Sequence, residues 1–209
     1  MNFLDILLSS DERSAIAHRV SGVAIGVVTN NQDPDQLGRV KVKFPWLCDD
    51  DESYWARVLV CGTYYLPDVD DEVLVAFNQD DIQFPYVLGT LWNGKKAPPD
   101  TNADGKNNLR MMRSRSGHVI QLSDESGKET IKIIDKSGKN SLVIDTAQNT
   151  ITITSEKDLT LSAPKGTLKL EAQKLEFESS ASTQIQAGAG MDLKASANLN
   201  VKGSMINLN

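Results

Sequence analysis

The chain has 209 residues, 40% of them apolar and 24% charged, which is typical of a folded globular protein. Its formal net charge of −6 disfavours nucleic acid or an anionic membrane surface as a partner, because both bind through Lys and Arg. No apolar run reaches the length of about 18 residues expected of a membrane-spanning helix. The two cysteines, Cys48 and Cys61, are too few for a disulfide scaffold. We interpret them as small buried residues and leave their pairing open.

The first segment, residues 1–20, has the spacing of a helical segment. Its apolar side chains share one helical face, and acidic residues after Ser10 suit the first turn of a second short helix. A stripe of this kind needs a partner surface, either the strands that follow or another subunit. The segment does not resemble a secretory signal, since Asp5 interrupts the apolar patch and no basic region precedes it. The stripe consists of Phe3, Leu4, Leu7 and Leu8.

The second segment, residues 21–94, predicts five short strands separated by polar turns. Alternating apolar residues and β-branched runs over some seventy residues are typical of a small antiparallel barrel of the OB type. A polar stretch marked by Gly and Pro follows, so we expect a linker or neck over residues 95–116. The predicted strands contain Val23 to Val27, Val40 to Val42, Trp55 to Val60, Glu72 to Phe77 and Tyr86 to Leu91.

The last segment, residues 117–209, repeats an apolar–polar–apolar triplet eleven times at short intervals. Each copy predicts a short strand with one apolar and one polar face, and the intervals hold residues suited to tight corners. The triplets are Ile120-Gln121-Leu122, Ile131-Lys132-Ile133, Leu142-Val143-Ile144, Ile151-Thr152-Ile153, Leu159-Thr160-Leu161, Leu168-Lys169-Leu170, Leu175-Glu176-Phe177, Ile185-Gln186-Ala187, Leu193-Lys194-Ala195, Leu199-Asn200-Val201 and Ile206-Asn207-Leu208.

Two arrangements bury the apolar faces of these strands. One chain can coil on itself as a solenoid, or three identical chains can wind around a common axis as a triangular β-prism. A solenoid of eleven strands would have fewer than four coils and would need features that recur every third copy, and the sequence has none. We therefore expect an intertwined trimeric β-helix. A monomer of this region would have open strand edges and an exposed apolar face, which make aggregation favourable.

Several linked motifs run in order along the chain: Gly26-Val27-Val28, Asp33-Pro34, Leu37 to Trp46, Ser53 to Val58, Leu66 to Val75, Pro85 to Gly89, and Arg115-Ser116-Gly117-His118 through Asp135-Lys136-Ser137-Gly138. Together they resemble the spike proteins of contractile injection systems, the VgrG-like and phage baseplate assembly protein V family. The resemblance covers about 190 of the 209 residues and implies the OB barrel and the trimeric β-helix.

The resemblance implies a homotrimeric spike that joins hub to tip and pierces the target envelope when a sheath contracts. The large hub domain that VgrG proteins carry before the barrel is missing, which implies a separate hub protein, contacted by Phe3, Leu4, Leu7 and Leu8. A PAAR-type tip protein is expected on Met205, Ile206 and Leu208, and a cargo effector is a further partner. Membrane contact is expected only during puncture, in a phage or phage-tail-like particle assembled in the bacterial cytoplasm. Which machine this is, its target cell and its cargo stay open.

No residue pattern predicts catalysis, a cofactor or a metal. His18 and His118 stand in different segments without Cys or carboxylate at ligand spacing, and we interpret the acidic runs 49–52 and 68–72 as turn and loop residues. The alternative function is a β-helical tail enzyme that cleaves polysaccharide, but no pocket flanked by paired carboxylates is evident. The aromatic rings of the barrel segment are interpreted as core and inter-subunit packing, because the acidic loops oppose a polyanion. These rings are Trp46, Tyr54, Trp55, Tyr64, Tyr65 and Trp92.

Overall fold

The computed structural model describes residues 20–46, 52–60 and 62–207. They form an all-β protein that divides into two compact units, residues 1–156 and 157–209. The predicted helices of residues 1–20 lie outside the described residues except for Val20, and so do Cys48 and Cys61. The all-β class is therefore confirmed for the described chain, while the N-terminal helices stay a prediction.

The first sheet contains five strands, close to the runs that alternation predicts. The prediction for β4 matches at both ends, and that for β5 is shifted by one residue. Only β3 is much shorter than its predicted run. The strands are β1 (Val23–Asn30), β2 (Lys41–Lys43), β3 (Arg57–Val58), β4 (Glu72–Phe77) and β5 (Pro85–Thr90), with a short turn at Asn78–Asp80 before β5.

The order of these strands is β2-β1-β4-β5-β3, antiparallel throughout except for the parallel pair β3 and β5. Val40 and Ala56 exchange two backbone hydrogen bonds of 3.0 and 2.8 Å, which bring the two edges of the sheet together. The result is a five-stranded, partly open barrel of the OB type. The predicted OB fold is confirmed.

The barrel interior is filled by the inward side chains of alternate positions. Most are Val, a branched residue that packs well on a pleated sheet, and two rings complete the layer, with centroids 5.6 Å apart. The buried core consists of Val28, Val40, Val42, Phe44, Ala56, Val73, Val75, Phe77 and Val87.

A second sheet follows the neck as an antiparallel meander, in the order β10-β9-β8-β7-β6. The first four predicted triplets lie in β7 to β10. β6 was not identified from the sequence and occupies the second half of the range predicted as a linker. We call β6 to β10 the meander sheet: β6 (Leu109–Arg113), β7 (Val119–Ser123), β8 (Thr130–Ile134), β9 (Ser141–Asp145) and β10 (Thr150–Thr154).

The second unit carries the seven remaining triplets. Residues 157–207 of this single chain form no strand, and all of them are exposed. The intertwined β-helix predicted for this region is not seen in one chain, and it stays a prediction.

Candidate assembly surfaces of the barrel and the meander sheet

The chain enters the barrel at one end and leaves it at the other. At one end, the Val20 backbone N–H donates to the Asp80 carbonyl at 2.8 Å, beside the β4–β5 turn. At the other end, the Leu91 N–H donates to the Glu72 carbonyl at 2.8 Å, where the neck leaves. These ends are separated by the length of β4, about 17 Å for six residues. Val20 and the start of the neck therefore lie at opposite ends of the barrel.

The neck is held to its end of the barrel by side chains. The Asn93 Nδ2 group donates to Glu72 Oε2 at 3.0 Å, and Lys96 Nζ pairs with Asp71 Oδ1. This hydrogen bond to Asp71 raises the pKa of Lys96. The Asp71 carboxylate, whose side chain is 10% exposed, also accepts the Asp68 N–H at 2.8 Å. Asp68 to Asp71 thus form a turn, as the loop interpretation predicts, while Glu72 begins β4. The anchoring of the neck by Asp71 and Glu72 was not predicted.

Side chains alternate along each strand of the meander sheet, so one face is apolar, whereas the other mixes polar residues with Met111, Val143 and Ile134. Cross-strand pairing aligns the triplets so that their apolar residues stack in two rows, while Lys132 and Thr152 lie on the other face. The first row is Met112, Ile120, Ile133, Leu142 and Ile153, and the second begins at Arg110 and continues through Leu122, Ile131, Ile144 and Ile151.

Burial in β7 and β8 is the reverse of the usual pattern, in which apolar side chains are buried and polar side chains are exposed. In β7 and β8 the four apolar residues of the triplets are exposed, whereas Gln121 and Lys132 between them are half-buried, as are Val119 and Ile134 on the same face as these two. Ile133 is 49% exposed and Met112 65% exposed. A contiguous apolar face of this kind is typical of a surface that another chain covers.

The turns at one end of the meander sheet are joined to one another. The Lys136 backbone N–H donates to Nδ1 of His118 at 3.2 Å, which links the β6–β7 and β8–β9 turns. Within the second turn, Asp135 accepts hydrogen bonds from Ser137 Oγ and Asn140 Nδ2. These bonds, that from Ser137 first, lower the pKa of Asp135 to about 2. The histidine thus has a structural role in this sheet.

The six Trp and Tyr residues that were predicted as core or inter-subunit rings do not form the barrel core, whose aromatic residues are Phe44 and Phe77. Five of the six are exposed, Tyr64 by 90%, and Trp55 is half-buried. The prediction that these rings are core residues is therefore wrong for the single chain, because Val and Phe already fill the small interior. The other half of that interpretation, inter-subunit packing, stays a prediction. The exposed five are Trp46, Tyr54, Tyr64, Tyr65 and Trp92.

The remaining predicted site residues are only partly described. Met205 and Ile206 are exposed, whereas Leu208 and the stripe of Phe3, Leu4, Leu7 and Leu8 lie outside the described residues. No group of three or more His, Cys, Asp or Glu in the described part of the chain is placed to hold a metal ion. Nor does any helix there have the length and apolarity needed to cross a bilayer.

The barrel matches a known family. Residues 24–92 match the type VI secretion system/phage-baseplate injector OB domain. The chain is 28% identical over 126 residues to the type VI secretion system spike protein VgrG1a of Pseudomonas aeruginosa, an alignment that covers 52% of this chain and 20% of VgrG1a. Spike protein VgrG5 of the same species is 37% identical over 95 residues, 39% of this chain and 12% of VgrG5.

A third relative is named as a toxin, whereas the first two are named as spike proteins. The actin cross-linking toxin VgrG1 of Vibrio cholerae is 32% identical over 111 residues, which cover 46% of this chain and 10% of the toxin. The matches thus span about a fifth or less of the relatives' lengths. Fold and family match agree for the barrel: residues 24–92 have the OB fold of the injector domain that they match. The predicted resemblance is confirmed: the chain is similar to VgrG spike proteins of the type VI secretion system and to the phage-baseplate injector OB domain.

Proposed function

We propose that the protein is a non-enzymatic, homotrimeric spike of a contractile injection system, which links a hub to a tip and pierces the target envelope on sheath contraction. The observation that carries the proposal is the exposed apolar face of the meander sheet. Three copies that turn this face toward a common axis would bury it and leave Lys132 and Thr152 in water. The named spike relatives agree with such a structural role.

The placement of the neck supports the same proposal. Val20 and the neck lie at opposite ends of the barrel, so the barrel can stand in line between a hub and a needle. A separate hub protein is proposed at the N-terminal end, in the region of the predicted contacts Phe3, Leu4, Leu7 and Leu8. A PAAR-type tip protein is proposed on Met205, Ile206 and Leu208, because an apolar trimer tip needs a cover. In this proposal the protein acts within a phage or phage-tail-like particle assembled in the bacterial cytoplasm.

Residues 157–209 complete the proposed needle. Their triplets continue the pattern of β7 to β10, and leucines such as Leu161 and Leu168 are more than half exposed in the single chain. Wrapping with two other copies would supply both strand partners and a dry interior, so folding and trimerisation are proposed to be coupled.

The mass of the purified protein tests the proposal. Light scattering after size exclusion should give three times the mass of one chain, which is 22.9 kDa. Electron microscopy should then show a barrel end and a thin needle. A monodisperse, folded species with the mass of a single chain would contradict the proposal. So would turnover of capsule or peptidoglycan by the purified protein.

A further inference from the structure

The chain contains a single Asn-Gly pair, Asn93-Gly94, and this pair lies where the neck leaves the barrel. An asparagine followed by glycine is chemically labile, because glycine has no side chain to keep its backbone nitrogen away from the preceding amide carbon. Asn93 is half-buried and Gly94 is exposed, so water can reach the pair. It is therefore a candidate site of covalent change that the spike role does not use.

The folded chain holds the Asn93 amide from both sides. Its Nδ2 donates to Glu72 Oε2 at 3.0 Å. Its Oδ1 accepts the backbone N–H groups of Lys95 at 2.9 Å and Lys96 at 2.8 Å. The Asn93 N–H in turn donates to the Lys96 carbonyl at 3.0 Å, which closes a turn around Gly94. Attack by the Gly94 nitrogen requires the amide to rotate, and that rotation breaks the hydrogen bonds of the side chain.

Docking of the neck on the barrel keeps these hydrogen bonds in place. Lys96, which supplies one of the N–H donors, pairs through Nζ with Asp71 Oδ1. Glu72, which accepts from Nδ2, begins β4 of the barrel. The residues that hold Asn93 thus come partly from the neck and partly from the barrel. We propose that Asn93 is a deamidation site that the docked neck keeps closed, and that release of the neck converts Asn93 irreversibly to an acid.

The proposed reaction needs only water as a co-reactant. The Gly94 nitrogen attacks Asn93 Cγ, the bond from Cγ to Nδ2 breaks, and the Gly94 proton leaves with Nδ2 as ammonia. Because both reacting groups belong to neighbouring residues, the attack is intramolecular. Water then opens the resulting cyclic imide at one of its two carbonyl carbons, which gives aspartate or isoaspartate. One water is consumed, one ammonia is released, and no electron is transferred.

The product opposes renewed docking of the neck. A carboxylate at position 93 has no N–H to donate to Glu72, and its oxygen takes the place of a nitrogen that lies 3.0 Å from Glu72 Oε2. The neighbouring Asp71 carboxylate, with a side chain 10% exposed, adds a further negative charge. Like charges this close repel one another, and isoaspartate also lengthens the backbone of the turn. A neck that has been released and modified therefore stays released.

Peptide mapping by mass spectrometry measures the reaction in the full-length protein. In mildly alkaline buffer, Asn93 of the native wild type should deamidate at least about tenfold more slowly than in the urea-unfolded chain, since opening breaks several hydrogen bonds. Lys96→Ala should accelerate the native reaction several-fold, whereas Lys95→Ala, outside the ion pair, should not. Equal rates in native and unfolded wild type would overturn the proposal, as would a native rate that Lys96→Ala leaves unchanged.

Gly94→Ala tests the chemical route. Nothing lies within 4 Å of a Cβ added at Gly94, so the fold accepts the methyl group, whereas the methyl group hinders the attacking nitrogen. Deamidation of Asn93 in the unfolded variant should therefore be several-fold slower than in the unfolded wild type. A rate that Gly94→Ala leaves unchanged, or an Asn93 that stays intact even in the unfolded wild type, would show that this pair is not the proposed site.

Asn93→Asp imitates the aspartate product and tests its effect on the neck. Proteolysis between residues 97 and 108 should be several-fold faster than in wild type. Glu72→Gln added to Asn93→Asp should restore resistance, because the glutamine amide can donate to the new carboxylate. Resistance of Asn93→Asp equal to that of wild type would contradict the one-way release. The reaction takes place within one chain, so its outcome is independent of the mass that light scattering gives for the proposed trimer.

Discussion

Asp33 and Arg39 close the β1–β2 loop with a two-point ion pair. Arg39 Nε donates to Asp33 Oδ2 at 2.8 Å, and one Nη donates to Oδ1 at 2.7 Å. The backbone N–H groups of Asp35, Leu37 and Arg39 also donate to this carboxylate, whose side chain is 3% exposed. The Asp33-Pro34 and Gly38-Arg39 motifs of the sequence therefore lie at the two ends of one loop, which their side chains close.

This ion pair predicts a pH-dependent contribution to stability. The hydrogen bonds from Arg39, and then those from the backbone, hold the pKa of Asp33 well below its usual range. The contribution is complete above the unfolded pKa of about 3.9 and is lost as the pH falls from there through the lower folded pKa. Asp33→Asn should lower the melting temperature at pH 7 and reduce its fall between pH 7 and pH 3. Asp35→Asn, at a more exposed carboxylate, should change both less. Identical pH profiles for wild type and Asp33→Asn would contradict this assignment.

Gly26→Ala should destabilise the barrel. A Cβ at Gly26 would collide with the Val42 side chain and lie 3.1 Å from the Lys43 carbonyl and 3.2 Å from Phe44 Cδ1. Val42 and Phe44 are fully buried, so neither can move freely, and overpacking of this kind costs about 1–3 kcal/mol. Urea unfolding measures the loss. Gly89→Ala is the control, because nothing lies within 4 Å of its added Cβ. Equal midpoints for the two variants would show that the barrel adjusts freely around Gly26.

Ile133→Lys should disrupt the proposed trimer. Ile133 lies in the first apolar row, opposite Ile120 and Leu142, and a charge there would be buried without a partner. The expected result is loss of the trimeric species in favour of monomer or aggregate, measured by light scattering. Lys132→Ala, one residue away on the polar face, should keep the trimer. A trimer that tolerates Ile133→Lys but not Lys132→Ala would mean that the sheet presents its other face to the axis.

Lys96→Ala should loosen the neck. It leaves the Asp71 carboxylate without its cation, and because Lys96 is 48% exposed we expect a cost of only about 1 kcal/mol after solvent screening. Proteolysis between residues 97 and 108 should become faster, since the neck is released from the barrel. Lys95→Ala is the control, at a neighbouring cation outside this ion pair. Unchanged cleavage in Lys96→Ala would leave Leu91 and Asn93 as sufficient anchors.

Local pattern predicted a large part of the fold. The limits of β4 could be read from EVLVAF because alternation records directly which side chains face the interior. The same reasoning separated the two faces of β7 to β10. Sequence therefore predicted part of the candidate assembly surface, because Ile120, Ile131 and Ile133 are the apolar residues of their triplets.

Features that depend on residues far apart could not be predicted in this way. The run Leu-Arg-Met-Met-Arg at 109–113 has no clear alternation, and it becomes β6 because β7 supplies its hydrogen-bond partners. The six Trp and Tyr residues listed in the sequence analysis look like core residues, yet Val and Phe already occupy the volume inside the five-stranded barrel. The ion pair of Asp71 and Lys96 joins residues 25 positions apart, and no local sequence motif predicts it.

The sequence by itself determined the two-faced strands, the OB motifs and the repeat, because side-chain alternation is a property of neighbouring residues. Only the tertiary structure decided how the barrel closes at Val40 and Ala56 and from which end of the barrel the neck leaves. These features arise from strand order and register, in which residues from distant parts of the chain become neighbours.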